Sequence, residues 1–334
     1  QNLKYNKVDY SYSSSNSQKS RKYLNEYANQ IKKNLKLKEN KILEIGANDG
    51  YLIKRLSKNN ILYSCDISTY WSNKLKKEKI NSINKPFEKL SRIFLKKNKN
   101  SFDTIIANNV VNHSHDLKKF FKNLYSLIKE DGKIFIEVPY SQWMIENKKF
   151  ELIYLEHINY FNTKTFQKKF DNLNLSINKI MFTNYHGKMI RIVISKKKTI
   201  VINKKILLKE KIFFENKKNL DKFKKNIYLR KKRFLKKINH LKKKQNKIVA
   251  IGASAKTSSL LNFFNLNKDN ISFVTDSSKF KIGKFIPNKK IPIKSDNALK
   301  KINNIYVFFS TWNISDFVKK KILKINKNIK IISY

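Results

Sequence analysis

Cysteine is nearly missing. Cys65 stands alone among 334 residues, which excludes an internal disulfide and any zinc site built from several cysteines. Acidic side chains are scarce: 24 Asp and Glu face 74 Lys and Arg, a formal charge of +50. No apolar run approaches the ~20 residues that a membrane-spanning helix needs. The opening QNLKYNKVDYSYSSS lacks the apolar core of a secretory signal. A cytoplasmic location without a membrane partner is expected. The chain opens on Gln1 rather than Met, so a preceding segment is expected too.

Against these absences, 40% of the residues are hydrophobic, enough for real cores, and 334 residues are too many for one core. The basic excess admits two readings. Lys and Arg could neutralise nucleic-acid phosphates. However, Lys, Asn and Ile are enriched together along the whole chain and form no single basic arm with interleaved aromatics. A dedicated nucleic-acid role is therefore not expected, although the positive field would draw in an anionic small substrate.

Strand and helix patterns alternate from residue 41. KILEIG reads as a buried strand ending in a glycine turn, ILYSCDIS as a second strand ending near Asp66, and FDTIIANNVV as a third. An amphipathic helix follows from Leu117 to Ile128, then a turn at Asp131-Gly132 and the strand KIFIEVP. This alternation implies a parallel α/β sheet, whose ligands sit at the C-terminal strand ends. KMIRIVIS reads as a further strand. Residues 204–246 read as one long Lys-rich connecting helix with Leu220, Phe223, Ile227, Phe234, Ile238 and Leu241 in a single apolar stripe. A second strand–glycine–helix unit opens at KIVAIGASAK and continues through ISFVTDSS, NIYVFFSTWN and IKIISY. The expected division is a lead-in over 1–37, a first Rossmann-like domain over 38–150, and a C-terminal domain over 151–334 that ends in a smaller α/β unit at 247–334.

The segment Glu44-Ile45-Gly46-Ala47-Asn48-Asp49-Gly50 lies between a strand and a helix. Gly46 permits a left-handed turn and close backbone approach. The G-x-G-x-x-G spacing of dinucleotide sites is absent. Glu44 and Asp49 would repel a pyrophosphate but suit an ammonium group, and Asp66 is placed to accept from a ribose diol. S-adenosylmethionine meets these demands.

ANNVVNHSHDL sets Asn108, Asn109, His113 and His115 beyond the third strand, at the ligand edge of the sheet, or leaves Asp116 or His115 simply to cap the next helix. Glu156-His157 lies among Tyr154, Tyr160 and Phe161, where a tuned base is plausible. Gly252, Ala253, Ser254 and Lys256 open a helix whose N–H groups and dipole favour phosphate, if they serve a ligand at all.

The chain resembles the sugar C-methyltransferases, which methylate nucleotide-linked 4-keto-deoxysugars. The motifs that carry the resemblance are EIGANDG, NNVVNH, EVP, YLEHINYF, HGKMIR, GASAKTSSLLN, DSSKFKIG and WN, in that order along nearly the whole chain, with YSYSSSNS ahead of them. The resemblance implies a Rossmann-like class I methyltransferase domain, a long helix and a second, smaller Rossmann-like domain. It implies that a base removes the proton beside the sugar ketone and that the enolate attacks the methyl group of S-adenosylmethionine. The base would be His157, with Glu156 and Tyr154 orienting it or stabilising the enolate. His113 and an early tyrosine, Tyr10 or Tyr12, would contact the sugar. Asn108 would join Glu44, Gly46, Asn48, Asp49, Gly50 and Asp66 at the cofactor. Asn109, His186, Arg191, Asp276, Lys281, Trp312 and Asn313 fall on the matching motifs and would serve the substrate, with Gly252, Ala253, Ser254 and Lys256 at its nucleotide.

The sequence also departs from the family. Its four-cysteine N-terminal zinc domain is absent, so either the chain continues before Gln1 or this member has lost it. Leu155 replaces the first His of YHEH, Gly187-Lys188 replaces Gly-Gly, and PNKKIPI replaces PGTHIPI. No metal is expected, and the protein is expected to act as a monomer or homodimer. Two other readings stay open: methylation of another acceptor, such as a hydroxyl, and nucleotide-sugar binding without catalysis.

Overall fold

The computed structural model describes residues 13–37, 39–197, 204–300, 302–310 and 315–334. Tyr10, Tyr12, Trp312 and Asn313 lie outside them. The chain divides into two compact units: Gln1–Gln142 with Ile158–Glu215, and Trp143–His157 with Asn216–Tyr334.

The first unit is built on strands β1 (Asn40–Ile45), β2 (Asn60–Cys65), β3 (Asn81–Ile83), β4 (Phe102–Asn108), β5 (Ile128–Pro139), β6 (Ser176–Thr183) and β7 (Met189–Ser195). They form one sheet in the order β3-β2-β1-β4-β5-β7-β6. Strands β1 to β5 pair in parallel, while β7 runs antiparallel to β5 and β6 antiparallel to β7. The order reverses between β1 and β4, which places the ligand crevice beyond their C-terminal ends. On one side of the sheet, Tyr27 and Ile31 from the helix Gln18–Lys32 pack with Ile42, Leu52, Ile53 and Ile106. Asp131-Gly132 is no turn. β5 runs through it, and the irregularity is a register shift against β4 between Phe102 and Thr104.

The second unit holds strands β8 (Lys247–Ile251), β9 (Phe273–Thr275), β10 (Ile293–Lys294), β11 (Ile305–Phe309) and β12 (Lys330–Ile331). They form an all-parallel sheet in the order β10-β9-β8-β11-β12. Its core joins Ile227, Phe234, Ile238 and Leu241 to Phe264 and Phe308. The apolar stripe is therefore buried at Ile227, Phe234, Ile238 and Leu241, partly buried at Phe223 and 46% exposed at Leu220.

Two sequence expectations are corrected here. Residues 204–246 form two helices, Lys204–Glu215 and Lys217–Lys243, not one. Asn216 breaks the run: its side chain accepts the Lys218 N–H and caps the second helix. The domain division also shifts. Residues 158–215 belong to the first unit because β7 extends its sheet. In the same unit, the buried Glu210 accepts the N–H groups of Thr163 and Lys164, both at 2.9 Å, at the start of the helix Thr163–Asp171. Among the described residues, no helix is long and apolar enough to cross a membrane.

Candidate active site

At the end of β1 the chain turns sharply. Gly46 and Gly50 have φ of 68° and 69°, and Asn48 between them has 52°. A Cβ at Gly46 would come to 3.0 Å from two Val110 side-chain atoms, so space and dihedral both call for glycine. Asp66, beyond β2, holds this turn. Its carboxylate accepts the Asn48 N–H at 2.8 Å and the Ser68 N–H at 2.8 Å. Glu44 accepts the Ile53 N–H at 3.0 Å and so anchors the first turn of the next helix.

Asp49 is held by the lead-in. Ser13 and Ser14 donate their hydroxyls to its carboxylate at 2.5 and 2.6 Å, and Ser15 donates both its N–H and its hydroxyl. The Ser14 N–H donates to Asn48 Oδ1 at 2.9 Å. The sequence points to Tyr10 and Tyr12 just ahead of these serines, and both lie outside the described residues. The three serines carry the visible contacts, and only their proximity in sequence to the tyrosines hinted at them.

Glu44, Asn48, Asp49 and Asp66 are all buried. Burial, and then the negative charges of Asp49 and Asp66, push the Glu44 carboxyl well up. Burial raises Asp66 as well. For Asp49 the serine hydrogen bonds outweigh burial and hold the carboxyl below its usual range. The partners of these three carboxylates are N–H and hydroxyl groups, and among the described residues no Lys or Arg forms an ion pair with them. Such a set fits a cationic amino-acid head and a ribose diol, and opposes a pyrophosphate. The residues present fit S-adenosylmethionine.

Beyond β4, Asn109 takes a φ of 53° and its N–H donates to the Glu137 carbonyl at 2.7 Å. Asn108 ends β4 itself. His113 closes the 3-10 turn Val111–His113 and is half-buried.

In the second unit, Tyr154 Oη and His157 Nε2 are 2.6 Å apart, with ring centroids at 4.0 Å. The His157 N–H donates to the Tyr154 carbonyl at 2.8 Å, which closes the turn that sets this contact. Glu156 and His157 are buried, whereas Leu155 between them and Tyr154 is 74% exposed. Lys256 Nζ lies 5.9 Å from the Tyr154 ring centroid. Burial pulls the Lys256 ammonium down, against an upward pull from Glu151. The structure thus brings Tyr154, His157 and Lys256 together.

Two expected substrate contacts are engaged inside the protein. Arg191 is 1% exposed and fully committed inside the first unit. It donates to Glu137 at 2.6 Å, to the Tyr23 hydroxyl at 2.6 Å and to Gln30 at 2.5 Å, and stacks over Tyr27 at 3.4 Å. Burial raises Glu137, but Arg191 pulls it back. Arg191 is a core ion-pair residue. The N–H groups of the Gly252-Ala253-Ser254 turn are likewise engaged within the protein. The Gly252 N–H donates to the Thr275 carbonyl, the Ala253 N–H to Asp276 and the Ser254 N–H to Thr257 Oγ1. Thr257 and Ser310 lock the turn further through the Gly252 carbonyl, a role that spacing alone did not reveal. Asp276 also accepts the Ser278 N–H and pairs with Lys281 at 3.3 Å. His186 sits at the β6–β7 hairpin with φ of 52°, against the Tyr185 ring.

The strand order and the acidic turn at its crevice define a Rossmann-like methyltransferase domain. The comparisons with known proteins agree. A family model described as a methyltransferase domain matches residues 18–180, and one described as a C-methyltransferase C-terminal domain matches residues 184–332. Each family model matches just under half of the chain, so the chain is similar to methyltransferases that carry this C-terminal domain, and the cofactor that goes with the first domain is S-adenosylmethionine. It is similar to the C-methyltransferase NovU of Streptomyces niveus, 26% identical over 208 residues, which are 60% of this chain and 49% of NovU. The match thus spans about half the length of that relative. Among solved structures, a protein of Pyrococcus horikoshii OT3 is similar at 16% identity and a TM-score of 0.46, over 58% of this chain and 99% of that one. An S-adenosylmethionine-dependent methyltransferase of Archaeoglobus fulgidus is similar at 15% identity and a TM-score of 0.44, over 52% of this chain and 93% of that one.

Proposed function

We propose that the protein is an S-adenosylmethionine-dependent C-methyltransferase whose acceptor is a nucleotide-linked 4-keto-deoxysugar. The observation that carries this reading is the Tyr154–His157 contact of 2.6 Å. Transfer to carbon needs a base that can ionise a C–H bond beside a ketone, and a phenol-held imidazole is such a base. With the Tyr154 hydroxyl donating to Nε2, the neutral imidazole keeps its hydrogen on Nδ1 and Nε2 is the basic atom. The acceptor proton goes to Nε2. Tyr154 turns its hydroxyl from Nε2 to hydrogen-bond the ketone oxygen, which frees the Nε2 lone pair for that proton and meets the negative charge as it develops. Glu156, beside His157 in the same turn, adds a carboxylate to the polar surroundings of the base.

In the first unit, Asp66 takes the ribose diol, while Glu44 and Asp49 neutralise the ammonium group. S-adenosylmethionine supplies the electrophilic methyl group when bound. Lys256 and Lys281 supply positive charge for the nucleotide, in place of the engaged N–H groups of the Gly252 turn. The similarity to NovU, a C-methyltransferase, supports carbon as the accepting atom.

The test is mass spectrometry of nucleotide 4-ketosugars incubated with the protein and a deuterated methyl donor. A gain of one labelled methyl group on carbon, abolished when the ketone is reduced beforehand, is expected. Labelling that survives reduction of the ketone would assign the methyl group to oxygen instead.

A further inference from the structure

Asn112 lies in the 3-10 turn just beyond β4 and is 1% exposed. Its main chain is well used: the carbonyl accepts the N–H groups of Ile158 and Asn159, both at 3.1 Å. Its side chain is not. Neither Oδ1 nor Nδ2 has a hydrogen-bond partner among the described residues. Two residues on, Ser114 is 5% exposed and its Oγ is unpaired as well. A buried amide with both ends unmet is costly, and folded proteins seldom keep one without a use.

Location narrows the use. β4 borders β1 on the side away from β2, so this turn flanks the acidic turn at the same C-terminal edge of the sheet. The charged and diol groups of the cofactor are matched by Glu44, Asp49 and Asp66 at the ends of β1 and β2. An amide offers uncharged donors and one acceptor, side by side. It complements a neutral edge that carries a carbonyl next to a hydroxyl. We propose that Asn112 is an acceptor-binding residue, with Nδ2 donating to the ketone oxygen and Oδ1 accepting from the neighbouring hydroxyl. A hydrogen bond from Nδ2 to the ketone oxygen strengthens as negative charge grows there. This assignment rests on the C-methyltransferase reading above.

The test compares Asn112→Leu and Asn112→Asp with the parent in three measurements: ligand-free melting, S-adenosylmethionine affinity by calorimetry, and steady-state kinetics with a nucleotide-linked 4-keto-6-deoxyhexose. Asn112→Leu should keep or raise Tm, because it removes an unpaired buried amide at similar volume. It should leave cofactor affinity unchanged and lower kcat/KM about tenfold or more. Asn112→Asp should lose more, since a carboxylate repels the enolate oxygen. Two results overturn the assignment: a lower Tm with kcat/KM unchanged, which marks a structural amide, or an equal loss of cofactor affinity. If Asn112→Leu does not fold, Asn112→Asp decides by the same criteria. A parent protein that binds the cofactor yet methylates no ketosugar sinks the functional reading, and this assignment with it.

Discussion

The Asp66 carboxylate accepts the Asn48 N–H at 2.8 Å, and the Asp276 carboxylate accepts the Ala253 N–H at 2.9 Å. Each aspartate also takes the N–H two residues further on, from Ser68 and Ser278. Both units therefore use one device: the acid after the second strand of the motif ties down the turn after the first. In the first unit this leaves an acidic turn for a cationic ligand. In the second it uses up an N–H that could have met a phosphate.

Asp66→Ala should remove both the ribose acceptor and the anchor of the Asn48 turn. Loss of a charged hydrogen-bond acceptor costs about 1.5–3 kcal/mol, so S-adenosylmethionine affinity should fall about 10- to 100-fold. Calorimetry measures this directly. Asp276→Ala should leave that affinity alone.

Cofactor affinity should rise with pH. Glu44 is held well above the usual carboxylate range by burial, and a bound cation favours its ionised form. Binding then releases a proton, and affinity increases as pH passes up through the raised Glu44 value. Calorimetry in buffers of different ionisation enthalpy reports the proton. Glu44→Gln should abolish its release.

The serine clasp predicts that folding stability also rises with pH, over a lower window. Asp49 lies below its usual value, so near pH 4 the unfolded chain binds more protons than the folded one. The clasp's contribution is complete above the unfolded value of about 3.9 and is lost as pH falls through the lower folded value. Urea unfolding across this window should show a slope in the parent that Asp49→Asn lacks.

Arg191→Ala should lower unfolding free energy by about 3–5 kcal/mol, because it strands Glu137 in the core. Pairing it with Glu137→Leu should recover much of the loss. Urea titration of the two variants checks this.

Much of this was legible in the sequence. The glycine turn, Asp66 and the parallel sheet followed from strand patterns and residue chemistry, because local rules govern them. Arg191 was not, since a motif position does not show whether its guanidinium faces a ligand or a buried Glu137 contributed by a distant strand. The partners of the Gly252 turn were hidden for the same reason: its N–H groups meet Thr275, Asp276 and Thr257, which only the folded unit brings to it. The helix break at Asn216 lay within reach, as an Asx residue at a cap position, but the surrounding apolar stripe masked it. Asn112 gave no signal at all, because an unpaired side chain is visible only once every neighbour is placed.

The central claim is that His157 draws a proton from the carbon beside a sugar ketone. The most direct measurement is proton NMR of a nucleotide-linked 4-keto-6-deoxyhexose in deuterated water with the protein and no methyl donor. The parent should wash out the α-proton, and His157→Ala should slow this at least about 100-fold while binding S-adenosylmethionine normally. Washout at the parental rate in His157→Ala would contradict the account.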